Sequence, residues 1–409
     1  MWRIKYLSGL YILFLFQCPF QVSEFTPMLE NIPEWNLDQA KKKSNSCNDI
    51  SAYIPDTLNA HVDNIKYIRL NMHFMNTSDW KSNYYGESGK DYAKQLIYQA
   101  NRKLVYNKKM NLPEGNATPV YDPLYQYVLK DEDIYFHADD ALCFYVNEGK
   151  NRNNYKRTVI DKYKVDNDSM LNVFYMVHHP DSIKSRTYSA SAAGIALGKS
   201  IKLGTIYKPD DKPWLHSPLL NHEVGHVMGL SHAWNKNDGC EDTPPHPNCW
   251  APTPTGKCKG VTSNNMMDYN SNQHAITPCQ IGKMRKNMSK IGSKQRDLLE
   301  QRWCTLNPNK NVIISSNVHF QGAKDLEGNV IIQDGGQLKI SCRLSMPAGS
   351  SITVEPGGML ILDNARLHND CGMDWNGIVL QKSGKIQGEV YKNGDVKLEN
   401  IKEALWITP

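Results

Sequence analysis

The segment 222–232 reads HEVGHVMGLSH and restricts the fold more than any other part of the chain. His222 and His226 are four apart, which puts both rings on one face of a helix. Ser217 supplies an N-cap for that helix, Pro218 its first helical residue, and Gly229 a left-handed end. Beyond the glycine the chain turns back and offers His232 as a third nitrogen ligand. Three neutral imidazoles leave the fourth tetrahedral position of a zinc ion for water, which is the requirement of a catalytic site and not of a closed structural one. Glu223 adjoins His222, cannot ligate through the same face, and is placed to act on that water as general base and then as general acid.

The first residues set the expected compartment. Arg3 and Lys5 precede an apolar run from Tyr6 to Phe16, too short to span a bilayer comfortably, so residues 1–23 are read as a signal peptide. No later segment is apolar enough to cross a membrane, and the mature protein is expected to be secreted and extracellular. Net charge is +5, with 47 basic residues scattered among 42 acidic ones, a balance that gives no nucleic-acid footprint. Export permits disulfides. Ten cysteines less Cys18, which departs with the signal, leave an odd nine. Cys240, Cys249, Cys258 and Cys279 crowd into one loop-rich segment, Cys342 and Cys371 could pair in the C-terminal region, and Cys47, Cys143 and Cys304 are left over. Composition and spacing leave the connectivity open.

Residues 24–58 are polar and read as a loosely folded leader or pro-segment. From there to residue 305 the patterns alternate. Strands are expected at 66–74, 132–138, 170–178 and 193–203, and helices at 91–110, 217–229 and about 279–303. The mixture makes 59–305 one α+β domain. After residue 310 short Val/Ile/Leu runs are separated by Gly, Asn and Asp turns with no long helix, so 310–409 is expected to be an all-β domain of stacked coils, with a small sandwich as the alternative. Its short extent suggests an incomplete stack.

Downstream of the histidines, Asn265 to Tyr269 reads NMMDY. It offers Met267, with Met266 the alternative if the register slips by one, as an apolar, polarisable side chain near the histidine segment in sequence. HEVGHVMGLSH, then Cys240-Glu241-Asp242-Thr243-Pro244-Pro245, NMMDY and Thr277-Pro278-Cys279-Gln280 together resemble the pappalysin-type metzincins, and among them the ulilysin-like branch, over roughly residues 60–305. The resemblance implies a zinc metalloendopeptidase with a twisted five-stranded sheet, helices, and zinc in a central cleft. It implies zinc on His222, His226 and His232, Glu223 as base, Met267 as the Met-turn residue, and Tyr269 near the metal as an oxyanion donor, where the alternative is a buried structural tyrosine. The strand near 193–203 would be the edge that pairs with an extended protein or peptide substrate. Relatives further imply calcium at Asp242 and Thr243, with Asp238 and Glu241 as neighbours. The disulfides expected in this loop are Cys240–Cys258 and Cys249–Cys279. Cys47 is a candidate latency switch, its thiolate blocking zinc, or else a disulfide partner of Cys304.

Two other classes compete. One is a catalytically idle metzincin-fold protein that works as an adhesion or binding module, its C-terminal β domain holding a surface or another protein. The intact histidines and Glu223 count against it. The other is a different metzincin branch. Astacin-like enzymes carry Glu and reprolysin-like enzymes Asp after the third histidine, where this chain has Ala233.

Overall fold

The computed structural model describes residues 32–34, 46–145, 156–184, 186, 193–234, 237–270, 272–403 and 405–408. The expected signal peptide lies outside the described residues, as does most of the leader before residue 46. Among the described residues no helix is long and apolar enough to cross a membrane.

The first half is built on a mixed sheet of β1 (Lys66–Asn76), β2 (Tyr125–Val128), β3 (Ile134–Ala138), β4 (Leu171–Val177), β5 (Ala193–Ala196) and β6 (Ser200–Thr205). The order is β2-β1-β4-β6-β5, with β3 also on β1. Lys66–Arg69 of β1 pairs with β2 and Met72–Asn76 with β3, so two short strands share one side of a long one and the sheet is five strands wide. All pairings are parallel except β5 on β6. Parallel neighbours need crossovers and cover on both faces, which is why β4 is buried along its whole length.

Helix α1 (Gly86–Val105) makes the β1-to-β2 crossover and buries Tyr92, Ala93, Leu96, Ile97, Ala100 and Leu104 along one stripe. It starts and stops earlier than the 91–110 its periodicity predicts, because a glycine-containing first turn is carried by packing and not by propensity. Two short helices, α2 (Thr158–Tyr163) and α3 (Pro180–Ile183), flank β4. The expected strand at 193–203 is a hairpin, broken at Gly198, whose φ of +74° turns β5 back from β6. Helix α4 (Ser217–Val227) lies against α1, β5 and β6. The helical run expected at 279–303 divides into α5 (Pro278–Ser289) and α6 (Lys294–Asp297), with Gly292 at φ +72° between them. A capping box between Thr277 and Gln280 starts α5.

From residue 312 the chain winds as a parallel β-solenoid. Its coils are β7 (Val312–Ile314), β8 (Asn317–Phe320) and β9 (Lys324–Asp325); then β10 (Val330–Ile332), β11 (Gln337–Ile340) and β12 (Arg343–Ser345); then β13 (Ser351–Val354), β14 (Met359–Asp363) and β15 (Arg366–His368). The next coil comprises β16 (Gly377–Ser383), a short β17 (Ile386–Gln387), β18 (Glu389–Asn393) and β19 (Lys397–Leu398), and β20 (Leu405–Thr408) lies on β16. Corresponding strands form three parallel ladders. Val312, Val330, Ile352 and Ile378 stack in one buried column, and Val318, Leu338, Leu360 and Val390 in a second. One coil cannot bury its own apolar face, so stacking supplies the core and a sandwich is not formed.

Leader and solenoid are joined to the sheet domain by charge and sulfur. The Asp325 carboxylate, with no exposed side-chain surface, accepts from Lys66 at 2.9 Å, from Arg343 at 2.7 Å and twice from Arg296 at 2.8 Å. Burial would raise this carboxyl, but the three cations hold it well below its ordinary value. Arg296 also reaches Asp370 at 2.7 Å and lies over the Trp303 ring, beside a Cys304–Cys371 disulfide. Far from being loose, the leader over 46–58 and the first residues of the domain after it are part of this junction. Cys47 is bonded to Cys342, and Asp63 receives Arg285 of α5 at 3.2 Å and Lys324 of the solenoid at 2.6 Å.

These pairings correct the cysteine expectations. Cys47 is neither a zinc-blocking thiolate nor a partner of Cys304, because the leader runs along the solenoid where Cys342 faces it. Cys342 and Cys371 do not pair, since Cys371 faces the end of the sheet domain at Cys304. In the long loop the bonds are Cys240–Cys279 and Cys249–Cys258, not Cys240–Cys258 and Cys249–Cys279. Asp242 binds the N-terminus of α5 and so carries Cys240 to Cys279, while Cys249 and Cys258 close a local turn in which the Thr253 N–H donates to the Cys258 carbonyl at 2.9 Å. Cys143 is the free, buried cysteine among the described residues, its thiol pushed up to about 11 by burial.

Candidate metal centre

Helix α4 presents His222 and His226 one turn apart. Its start differs from the expectation: Ser217 is the first helical residue and its hydroxyl donates back to the Trp214 carbonyl at 3.1 Å instead of capping. Its end is a Schellman turn, with the Leu230 N–H on the Gly225 carbonyl at 2.9 Å, the Gly229 N–H on the His226 carbonyl at 3.0 Å, and Gly229 at φ +100°. A side chain at Gly229 would meet the Asn287 amide, which itself donates to the Met228 carbonyl at 2.8 Å. The reversal brings His232 back under the helix.

The three rings converge. His226 Nε2 lies 3.1 Å from His222 Nε2 and 3.2 Å from His232 Nε2. His222 Nδ1 faces the Met266 carbonyl at 2.7 Å and His226 Nδ1 the Leu230 carbonyl at 2.9 Å. A carbonyl only accepts, so both Nδ1 atoms carry the proton and both Nε2 atoms turn lone pairs to the centre. Lone pairs this close repel unless a cation lies between them. Burial lowers all three imidazoles, His222 to about 3 and His232 to about 4. A cradle of neutral, inward-facing nitrogens fits zinc.

Met267 is fully buried under the helix. A Cβ on Gly225 would come within 2.5 Å of the Met267 sulfur, so the glycine between the two ligands makes room for it. Met266 contributes its carbonyl to His222 instead. Asn265 Oδ1 accepts from the Met267 N–H at 2.9 Å and fixes the turn. Glu223 is buried beneath the edge strand, where a Cβ on Gly194 would lie 2.4 Å from its Oε1. Burial raises its carboxyl to about 8, opposed by a hydrogen bond from the Ala196 backbone. Tyr269 is not a buried structural residue: it is 47% exposed, its ring 4.5 Å from that of His232 and 6.0 Å from that of His222.

The residues expected to hold calcium have protein partners. Asp242 accepts from Thr277 Oγ1 at 2.7 Å and from the Cys279 N–H at 2.9 Å, a cap on α5, and Thr243 Oγ1 donates to Asp238 at 2.8 Å. The positions of Gly194, Asn265, Asn287 and His246 around the centre were missed from the sequence. Asn265 stood inside NMMDY, but nothing in the spacing marked the others, which belong to segments that meet only on folding.

Residues 154–289 match the model of a peptidase family described as Pregnancy-associated plasma protein-A. Over these residues the chain is similar to the pappalysin-type metzincins. By class the pappalysin-type domain is a zinc metalloendopeptidase. Two solved structures are similar to the chain: mirolysin in complex with compound 9, at 16% identity, and mature mirolysin of Tannerella forsythia in complex with a cleaved peptide, at 15%. Each match covers 58% of this chain and 96% of the other, with a TM-score of 0.39. No curated protein matches.

Proposed function

We propose that this chain is an exported, zinc-dependent endopeptidase that hydrolyses peptide bonds of proteins. The observation that carries the reading is the convergence of three neutral Nε2 atoms beside one buried carboxyl. His222, His226 and His232 would hold the metal, which when bound supplies Lewis-acid polarisation and a water whose pKa falls toward about 7. Glu223 takes the proton of the attacking water and returns it to the departing amine. Its position under β5 brings it beside any peptide that lines up on that edge strand, whose described neighbour is β6 alone. Tyr269, next to His232 and open to solvent, donates to the oxyanion that develops at the scissile carbonyl.

Export is supported by the basic-then-apolar start and by four disulfides among the described residues. A calcium ion at Asp242 and Thr243 would share oxygens that already brace the loop, and a calcium titration of Tm decides it: an unchanged midpoint removes calcium. The solenoid is the candidate surface for a further partner. Residues 24–409 and a Glu223→Ala control are to be incubated with a peptide library, with and without chelator. Cleavage stopped by both is expected; cleavage indifferent to both overturns the assignment.

A further inference from the structure

The third ligand is set in place differently from the other two. His222 and His226 belong to a helix and have backbone carbonyls behind them, whereas His232 lies beyond the helix in irregular chain. Two segments flank it. One runs on through Trp234 into the long loop, and the other is the stretch of Met267, Asp268 and Tyr269. They are tied together by His246 and Asp268, whose side chains have no exposed surface and approach to 3.3 Å. The His246 N–H donates to the Trp234 carbonyl at 3.0 Å, two residues past His232, and His246 Nδ1 donates to the Pro247 carbonyl at 2.9 Å. Asp268 sits between Met267, under Gly225, and Tyr269, on the His232 ring. Its Oδ2 also accepts from the Ser263 hydroxyl, and the Tyr269 N–H donates to Asn248 Oδ1 at 3.1 Å. Its Oδ1 is buried without a hydrogen-bond partner among the described residues.

A buried, half-satisfied carboxylate is costly unless it faces positive charge. On one side it has His246. On the other side Asp268 is followed by Tyr269, whose ring lies 4.5 Å from that of His232. We infer that the His246–Asp268 pair is a positioning element for the zinc site, tying together the two segments that flank His232 and so holding it in ligating geometry. The inference rests on the zinc reading above. His246 holds the Trp234 carbonyl and Asp268, Tyr269 beyond Asp268 packs on the His232 ring, and the long loop is thereby coupled to the metal site. Neither residue touches substrate.

The test uses zinc-loaded protein of residues 24–409 with Asp268→Asn, which keeps the shape, and His246→Phe, which removes the counter-ion. His246→Gln serves as the conservative rescue. Zinc affinity by chelator competition is expected to fall roughly 10–100-fold in the first two. The visible spectrum of the cobalt-substituted protein should change, and kcat should fall while KM stays within about twofold, since the effect lies on the metal and not on substrate binding. His246→Gln should recover part of the zinc affinity. Folded variants with lower Tm but unaltered zinc affinity and cobalt spectrum would reduce the pair to a loop brace and overturn the inference. Should His246→Phe fail to fold, Asp268→Asn alone decides. A wild-type protein that binds zinc but cleaves nothing would sink the peptidase reading and leave the affinity comparison standing.

Discussion

Replacing Asp63 by Asn should loosen the junction of leader, α5 and solenoid in a way that depends on pH. Burial works against the Asp63 carboxylate, but Lys324 at 2.6 Å and Arg285 at 3.2 Å overcome it and hold the group at about 2, against an ordinary 3.8. For a side chain only 6% exposed, that difference corresponds to about 2 kcal/mol of folding free energy. The sign follows from the direction. A carboxyl lowered by folding stabilises the native state fully above the unfolded value, and the contribution fades as pH falls from near 4 to about 2, where the native group takes up its proton. Urea unfolding of wild type and Asp63→Asn should therefore show a gap of about 2 kcal/mol at pH 6 that narrows by a similar amount at pH 2. The two unfolding curves should keep a common slope. A gap of constant size from pH 6 to pH 2, or an Asn variant as stable as wild type at pH 6, would refute the claim that these two cations set the acid limb.

Three other outcomes are expected. Glu223→Gln should retain zinc by metal analysis while turnover falls by roughly 10²–10⁴-fold, the range for a lost general base; retained turnover would remove Glu223 from the chemistry. Gly225→Ala puts a methyl within 2.5 Å of the Met267 sulfur and should cost about 1–3 kcal/mol in thermal unfolding, with faster zinc loss to chelator, and a neutral result would deny the close packing. Cys47→Ser should lower stability by about 2–4 kcal/mol without raising peptidase activity, because the sulfur staples leader to solenoid; activation on mutation would revive the latency reading.

What was legible in the sequence was whatever a short stretch of chain decides for itself. Spacing of four along a helix, a glycine at its end and a third histidine past the turn are local facts, and the structure has His222, His226 and His232 facing one point. Alternation marked most strands of the sheet, and short Val/Ile/Leu runs with Gly and Asn corners marked the coils. Boundaries slipped where packing, not propensity, carried the end of an element, as in the first turn of α1 and the hairpin at Gly198. The Ser217 cap failed because its hydroxyl found a nearer carbonyl in Trp214.

Long-range pairing was decided only in three dimensions. Which cysteine meets which depends on where helix α5 and the solenoid are packed, so spacing alone could not choose Cys240–Cys279 or Cys47–Cys342. The same holds for Gly194 over Glu223, Asn287 against Gly229, and the burial of Asp325 among three cations drawn from distant segments. That His222 and His226 face one way follows from helical geometry, whose period is a property of the backbone. Contacts between remote segments follow from the competition of all buried surfaces for one packing, and that competition is settled only by the folded whole.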